Sequence, residues 1–294
     1  MTPDLAGKLL SVASAALWAG AVIFFKKSTE SLSSLQGNFL KNVLGTLLFG
    51  LTLPLLGAPI LPHYPARYWL VTLLSGLVGL ALGDVLFFAA LRRLGAGLNA
   101  IVDALYSPFV FLLSVLLLSE PVTLGILLGG PLVVSGLVLA SRSPLSHGPR
   151  RLAAGLLLGA ASMFSMALGI VILKPILVAA HTWWVIFWRT AAGTLATGAI
   201  LLALKRPLWP KSHSGLAHLW AGAFLGTYLA TAAWLFGMRL TSVTAAAILN
   251  QLSTFFVLLA AAVWLAEPLE RRRIAGAVLA FLGGTLVILL TRPL

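Results

Sequence analysis

Two carboxylates sit where a carboxylate is costly. In GLALGDVLFFAALRRLGAGLNAIVDALYSPF, from Gly79 to Phe109, Asp84 and Asp103 interrupt two apolar runs, and the 294-residue chain has only 7 acidic residues in all. Lys41 and Arg189 stand in equally apolar surroundings, with the amides Asn42, Asn250 and Gln251. An ionised side chain facing lipid costs about 2.5–3.5 kcal/mol on insertion scales. Such residues are better placed in a shared, wettable cavity, where they hold a polar substrate or carry a proton. The substrate-binding candidates are therefore Lys41, Asn42, Asp84, Asp103, Arg189, Asn250 and Gln251, and the proton-coupling candidates are Asp84 and Asp103. The plainer alternative is a satisfied pair, Lys41 with Asp84 or Asp103, that only ties helices together.

The elements that must position these groups are membrane-spanning helices. Apolar residues make up 60% of the chain, charged residues 9%, and the mean hydropathy is +1.03. A soluble domain carries about a quarter charged residues. Apolar stretches long enough to cross a bilayer recur at 8–26, 35–56, 68–90, 97–118, 122–140, 153–173, 181–204, 216–237, 243–265 and 273–291. The first is read as a retained span, since no cleavable signal precedes it. The net charge of +13 comes from Lys and Arg clustered at span ends, which argues for orientation by loop charge and against nucleic acid as a partner. There are no cysteines and no metal-ligand spacing among the five histidines, so no cofactor is expected. No GxxxxGK[ST] motif is present, which removes ATP as an energy source within this chain.

The longest polar interruption, Ser141 to Arg151, divides the chain into two units, 1–145 and 146–294, of five helices each. A constant shift of 147 residues superposes them. It brings Glu120-Pro121 onto Glu267-Pro268, Arg92 onto Arg239, Lys27 onto Lys174, Asp103 onto Asn250 and Gly79 onto Gly226. An odd number of spans per unit makes the second enter from the opposite side, an inverted repeat with a site expected near the midplane. Repeat position adds the aromatics Trp18, Tyr106 and Trp234 to the candidates; helix packing explains them equally well. Trp183, Trp184 and Trp188, beside His181, read as interface aromatics. Pro108 is a candidate for bending the fourth helix, and Glu120 and Glu267 read as boundary residues.

Several segments also resemble a known family. Trp18 with a lysine at the end of its helix, the Gly-rich third helix, LRRLGAG (91–97), LLLSEP (116–121) and VWLAEP (263–268), each of the last two before a Gly-rich helix, are similar to the EamA branch of the drug/metabolite transporter superfamily. The run from GTYLATAAW to AEPLERRR resembles that family's second repeat. The resemblance covers nearly the whole chain. It implies the drug/metabolite transporter fold of ten helices, no enzymatic activity, and export of small metabolites, amino acids or drugs by alternating access.

Loop charges set the orientation. Lys and Arg in alternate loops number 13 on one side and 5 on the other. The richer side is expected in the cytoplasm, which puts both termini outside the cell's inner membrane. Lys41, Asp84 and Asp103 then lie about 9 Å from the cytoplasmic helix ends at 1.5 Å per residue. Arg189, Asn250 and Gln251 are expected nearer the outer face, as a second cluster. The expected partners are a small-molecule substrate, lipid and protons, in a monomer or homodimer. Two rivals compete with transport. One is a non-transporting scaffold. The other is an intramembrane aspartyl protease, prompted by ALGD (81–84); the next acid lies downstream, and the duplication has no place in that mechanism.

Overall fold

The computed structural model describes residues 2–119, 122, 124–141, 149–210, 213–240, 249–250 and 252–290. Every regular element among them is helical. Ten helices follow in order: α1 (Pro3–Ser28), α2 (Ser34–Leu55), α3 (Ala66–Leu94), α4 (Ala96–Leu118), α5 (Leu124–Ser141), α6 (Pro149–Ala179), α7 (Thr182–Ala203), α8 (216–240), α9 (Ser253–Leu265) and α10 (Arg271–Leu289). Six of them are long and apolar enough to cross a membrane. Leucines such as Leu47, Leu51, Leu82, Leu116 and Leu195 stand exposed on the outside. A water-filled exterior would penalise so much apolar surface, whereas hydrocarbon does not. The chain is a multi-pass membrane protein.

Packing joins the two halves. α1 lies against α8, α6 against α3, α2 against α7, α4 against α9 and α5 against α10. Local structure recurs at the spacing read from the sequence. Both α3 and α8 contain a widened π-helical stretch, Gly76–Gly83 in one and Ala223–Ala230 in the other, 147 residues apart. Tyr106–Leu118 and Ser253–Leu265 repeat at the same interval, each ending in a left-handed residue, Ser119 and Ala266. A π turn displaces backbone carbonyls from their regular partners, and neighbouring serines satisfy them. Ser162 donates to the Gly83 carbonyl at 2.8 Å, and Ser165 donates to Val78 at 2.7 Å. Ser14 donates to Ala230 at 2.8 Å, and residues 83 and 230 are again 147 apart.

Glycines set the closest approaches, as in other membrane helix pairs. A Cβ on Gly136 would lie 2.5 Å from the Gly276 carbonyl oxygen, and one on Gly276 would lie 2.5 Å from that of Gly136. Gly283 stands in the same relation to Gly129, at 2.6 Å. As numbers rise along α5 they fall along α10, so these helices run antiparallel.

The fourth helix departs from the expected bend. It breaks at Ala104–Leu105 and restarts at Tyr106. Pro108 lacks the N–H that would bond the Ala104 carbonyl, and the chain answers with a turn rather than a curved helix.

Candidate functional site

One face of α2 is polar: Asn38, Lys41, Asn42 and Thr46 follow at helical spacing, with Gly45 between them. Asn38, Lys41 and Asn42 are buried. Lys41 Nζ lies 2.6 Å from Asp84 Oδ2, each side chain 8% exposed. Asp84 follows directly on the π stretch of α3, whose carbonyls anchor the neighbouring side chain. Asn38 Nδ2 donates to Leu80 at 2.7 Å and to Ala81 at 3.3 Å. Asn42 Nδ2 donates to Asn38 Oδ1 at 3.0 Å, and its own Oδ1 has no partner. Of the two pairings open to Lys41 from sequence, the protein makes the one with Asp84.

Arg189 reaches this cluster from α7. Its Nη2 would sit 2.6 Å from a Cβ on Gly79, so the glycine is what admits the guanidinium. Gly79 is the middle of α3, which runs from Ala66 to Leu94. The Arg189 charge interacts electrostatically with Asp84 and Tyr106, and its buried Nε has no hydrogen-bond partner. Arg189, expected in an outer cluster with Asn250 and Gln251, is packed against the middle of α3. α7 crosses α2 and packs on the π stretch of α3 near mid-length, so a long side chain seven residues into α7 meets the first-half charges.

Hydroxyls complete the crossing. Thr46 and Thr194 hydroxyls lie 2.9 Å apart. Gly45 brings α2 so close that its Cβ would fall 2.7 Å from Thr227 and 3.3 Å from Thr190. Thr227 Oγ1 is buried and unbonded, while Tyr228 shares a 2.7 Å hydrogen bond with Thr52. Lys41 and Asp84 cancel in charge, which leaves Arg189 as the uncompensated charge of the cluster. Arg189 Nε, Asn42 Oδ1 and Thr227 Oγ1 are buried polar atoms lacking partners on α7, α2 and α8, the three helices packed together here. Buried polar atoms normally find one, so three at one crossing call for water or a polar ligand.

The remaining candidates spread out. Asp103 closes the first piece of α4, half-buried, and accepts from Asn99 Nδ2 at 3.3 Å; no cation among the described residues pairs with it. The expected Lys41–Asp103 alternative is absent because Asp84 already occupies the ammonium. Tyr106 is half-buried between two apolar clusters. Trp18 packs at 5.9 Å from the Phe87 ring and against Gly226. Trp234 and Asn250 are half-buried, and Gln251 lies outside the described residues, as does Glu120.

One reading from the sequence needs correction, and a second gains a role. Trp183 and Trp184 are buried rather than spread along an interface. Trp184 packs edge-on against Tyr64 at 4.8 Å and Trp69 at 4.7 Å, and Trp188 donates its Nε1–H to the Ile60 carbonyl at 2.9 Å. Together they close the end of the bundle where α2 finishes and α3 begins. Glu267, read as a boundary residue, accepts from the Ala96 and Gly97 N–H groups at 2.7 and 3.0 Å. It satisfies free donors at the start of α4 and complements the helix dipole. The left-handed Gly95 lets that carboxylate approach. Sequence reasoning also passed over Asn38, although its place one turn before Lys41 and Asn42 marks the same face.

The geometry invites comparison with known proteins. The model of the EamA-like transporter family matches residues 5–142 and 153–289. The chain belongs to that family. The family model thus matches twice, once in each half of the chain. A search of curated proteins finds no match. A solved structure described only as "Crystal structure of protein" is similar to the chain at 19% identity, with a TM-score of 0.70 over 98% of both chains. At that identity the likeness speaks to the fold alone. Among the described residues of this EamA protein, no three His, Asp or Glu side chains gather as metal ligands.

Proposed function

We propose that this EamA-family protein is a secondary transporter that exports a small metabolite across the inner membrane by alternating access. In this reading the two repeats are inverted, both termini face outward, and the substrate binds where α2 and α7 cross. The observation that carries it is the buried Lys41–Asp84 pair on α2 and α3, with Arg189 of α7 packed on the same stretch of α3 at Gly79 and three polar atoms of α2, α7 and α8 unsatisfied. Symmetry supports the inversion. Gly136 meets Gly276 and Gly129 meets Gly283, so each residue of one repeat touches the partner's counterpart in reverse order, as in an isologous twofold contact. A site on such an axis can face either side at equal cost when the halves rock.

Asp84 and Asp103 divide the polar work. Asp84 fixes Lys41 and faces Arg189. Asp103, which pairs with no cation among the described residues, is the candidate for carrying a proton through the cycle. A scaffold would use none of this and would tolerate Asp84→Asn and Asp103→Asn without loss of function.

The test is flux in liposomes containing the purified protein, challenged with a labelled panel of amino acids and small carboxylic acids, with and without a pH gradient. We expect saturable flux for a subset of the panel. Arg189→Gln should reduce it by about 100-fold, in line with loss of a charged contact worth some 3 kcal/mol. Asp103→Asn should abolish the response to the gradient. Flux indistinguishable from protein-free liposomes for the whole panel would overturn the reading.

A further inference from the structure

Above the α2–α3 face that buries Lys41 and Asp84 there is an open cleft of about 620 Å³, within the size range of metabolite sites. Its walls are the start of α2 at Ser33 and Ser34, the last turns of α3 at Arg92 and Arg93, Arg151 at the start of α6, and Arg206 just after α7. Four arginines line it, and among the described residues no carboxylate does. Arg93 donates to its own helix at Ala89, and Arg151 donates to the Arg92 carbonyl at 3.5 Å. Lys26 reaches the Leu91 and Arg92 carbonyls at 3.3 and 3.4 Å and lies near the Glu267 and Glu30 carboxylates as well as Arg92 and Arg151. Like charges held together in one concavity repel, and a bound anion relieves the repulsion. The free N–H groups at the start of α2 add the same sign of potential.

Two of the cleft's lining residues are close in sequence to the buried pair. Leu35 lines the cleft two turns before Lys41 on α2, about 9 Å at 1.5 Å per residue. Val85 lines it from α3 beside Asp84. Further along α3, at Gly79, lies Arg189, the charge that Lys41 and Asp84 leave uncompensated. The cleft and Arg189 therefore favour the same sign of ligand.

We propose that the arginine-lined cleft is an anion-binding antechamber. It captures a small molecule bearing a carboxylate or phosphate and delivers that group to Arg189. The capture step stands on the cleft alone; the delivery step rests on the transport reading, so the two can fail separately.

The experiment uses the full-length protein in neutral detergent, titrated calorimetrically with malonate and with inorganic pyrophosphate, and with ethylammonium as the cationic control. Both anions should bind and the control should not. Affinity should fall steeply with added salt, as exposed charge pairs do. Arg92→Gln/Arg206→Gln should weaken binding at least tenfold, Arg92→Lys/Arg206→Lys should largely preserve it, and Arg189→Gln should leave capture intact. Titrations in nanodiscs of phosphatidylcholine, with and without phosphatidylglycerol, separate a soluble ligand from a lipid headgroup. Equal binding in both supports the antechamber. Loss of binding whenever the anionic lipid is present assigns the cleft to lipid and overturns it, as does parental affinity in the Gln/Gln variant. Anion binding without flux would leave the cleft standing and remove the transport reading.

Discussion

Asp84→Ala is expected to lower the stability of the folded protein by about 3–5 kcal/mol, because it strands the Lys41 ammonium in the bundle interior. The 2.6 Å pair is almost wholly buried, with each side chain 8% exposed. Arg189 sits in the same cluster, so removing the carboxylate leaves two positive charges with no counter-ion. For a chain of this size the loss corresponds to roughly 6–20 °C in Tm, readable by thermal unfolding in detergent. Lys41→Met/Asp84→Leu removes both charges at similar volume, and should recover most of that stability, as apolar replacements of buried pairs do elsewhere. The double variant also separates structure from function: it should fold and yet transport nothing. A double variant that keeps full flux would reduce the pair to a tie between helices.

The second large effect concerns the contact between the last helices of the two repeats. Gly136→Val and Gly276→Val should each destabilise by about 3 kcal/mol or more, the upper end for overpacking. In each case the new side chain meets partner backbone at 2.5 Å, which cannot swing aside as a flexible side chain can. Gly130 is the control on the same helix, since a Cβ there meets nothing within 4 Å. Gly130→Ala should therefore be neutral or slightly stabilising, by at most about 1 kcal/mol. Equal losses at Gly130 and Gly136 would show that helix propensity, and not the crossing, sets the cost.

Much of the fold was legible because a bilayer imposes length and hydropathy on every span. The expected boundaries of α2, α5 and α7 agree with the observed helices to within about two residues, and the 147-residue interval reappears in local structure that hydropathy does not report. The π stretches were not legible, since glycines at 76, 79 and 83 look alike in an α-helix and in a wider one. For the site, depth counted from helix ends does not report that the bare surface at Gly79 admits the long Arg189 side chain onto the middle of α3. Glu267 lies at a span end as expected, but its capping role was not legible: its partners, Ala96 and Gly97, are backbone donors in the other half, and no spacing in the sequence points to them.

The central claim is that the crossing of α2 and α7 is reached alternately from the two sides of the membrane. With no native cysteine in the chain, Thr227→Cys places a single thiol at the unsatisfied hydroxyl with little change in volume. Labelling by a membrane-impermeant thiol reagent, applied in turn to right-side-out and inside-out vesicles, reads its accessibility from each face. We predict labelling from both faces, with substrate shifting the balance between them. Labelling confined to one face under every condition, or to neither, would contradict the account.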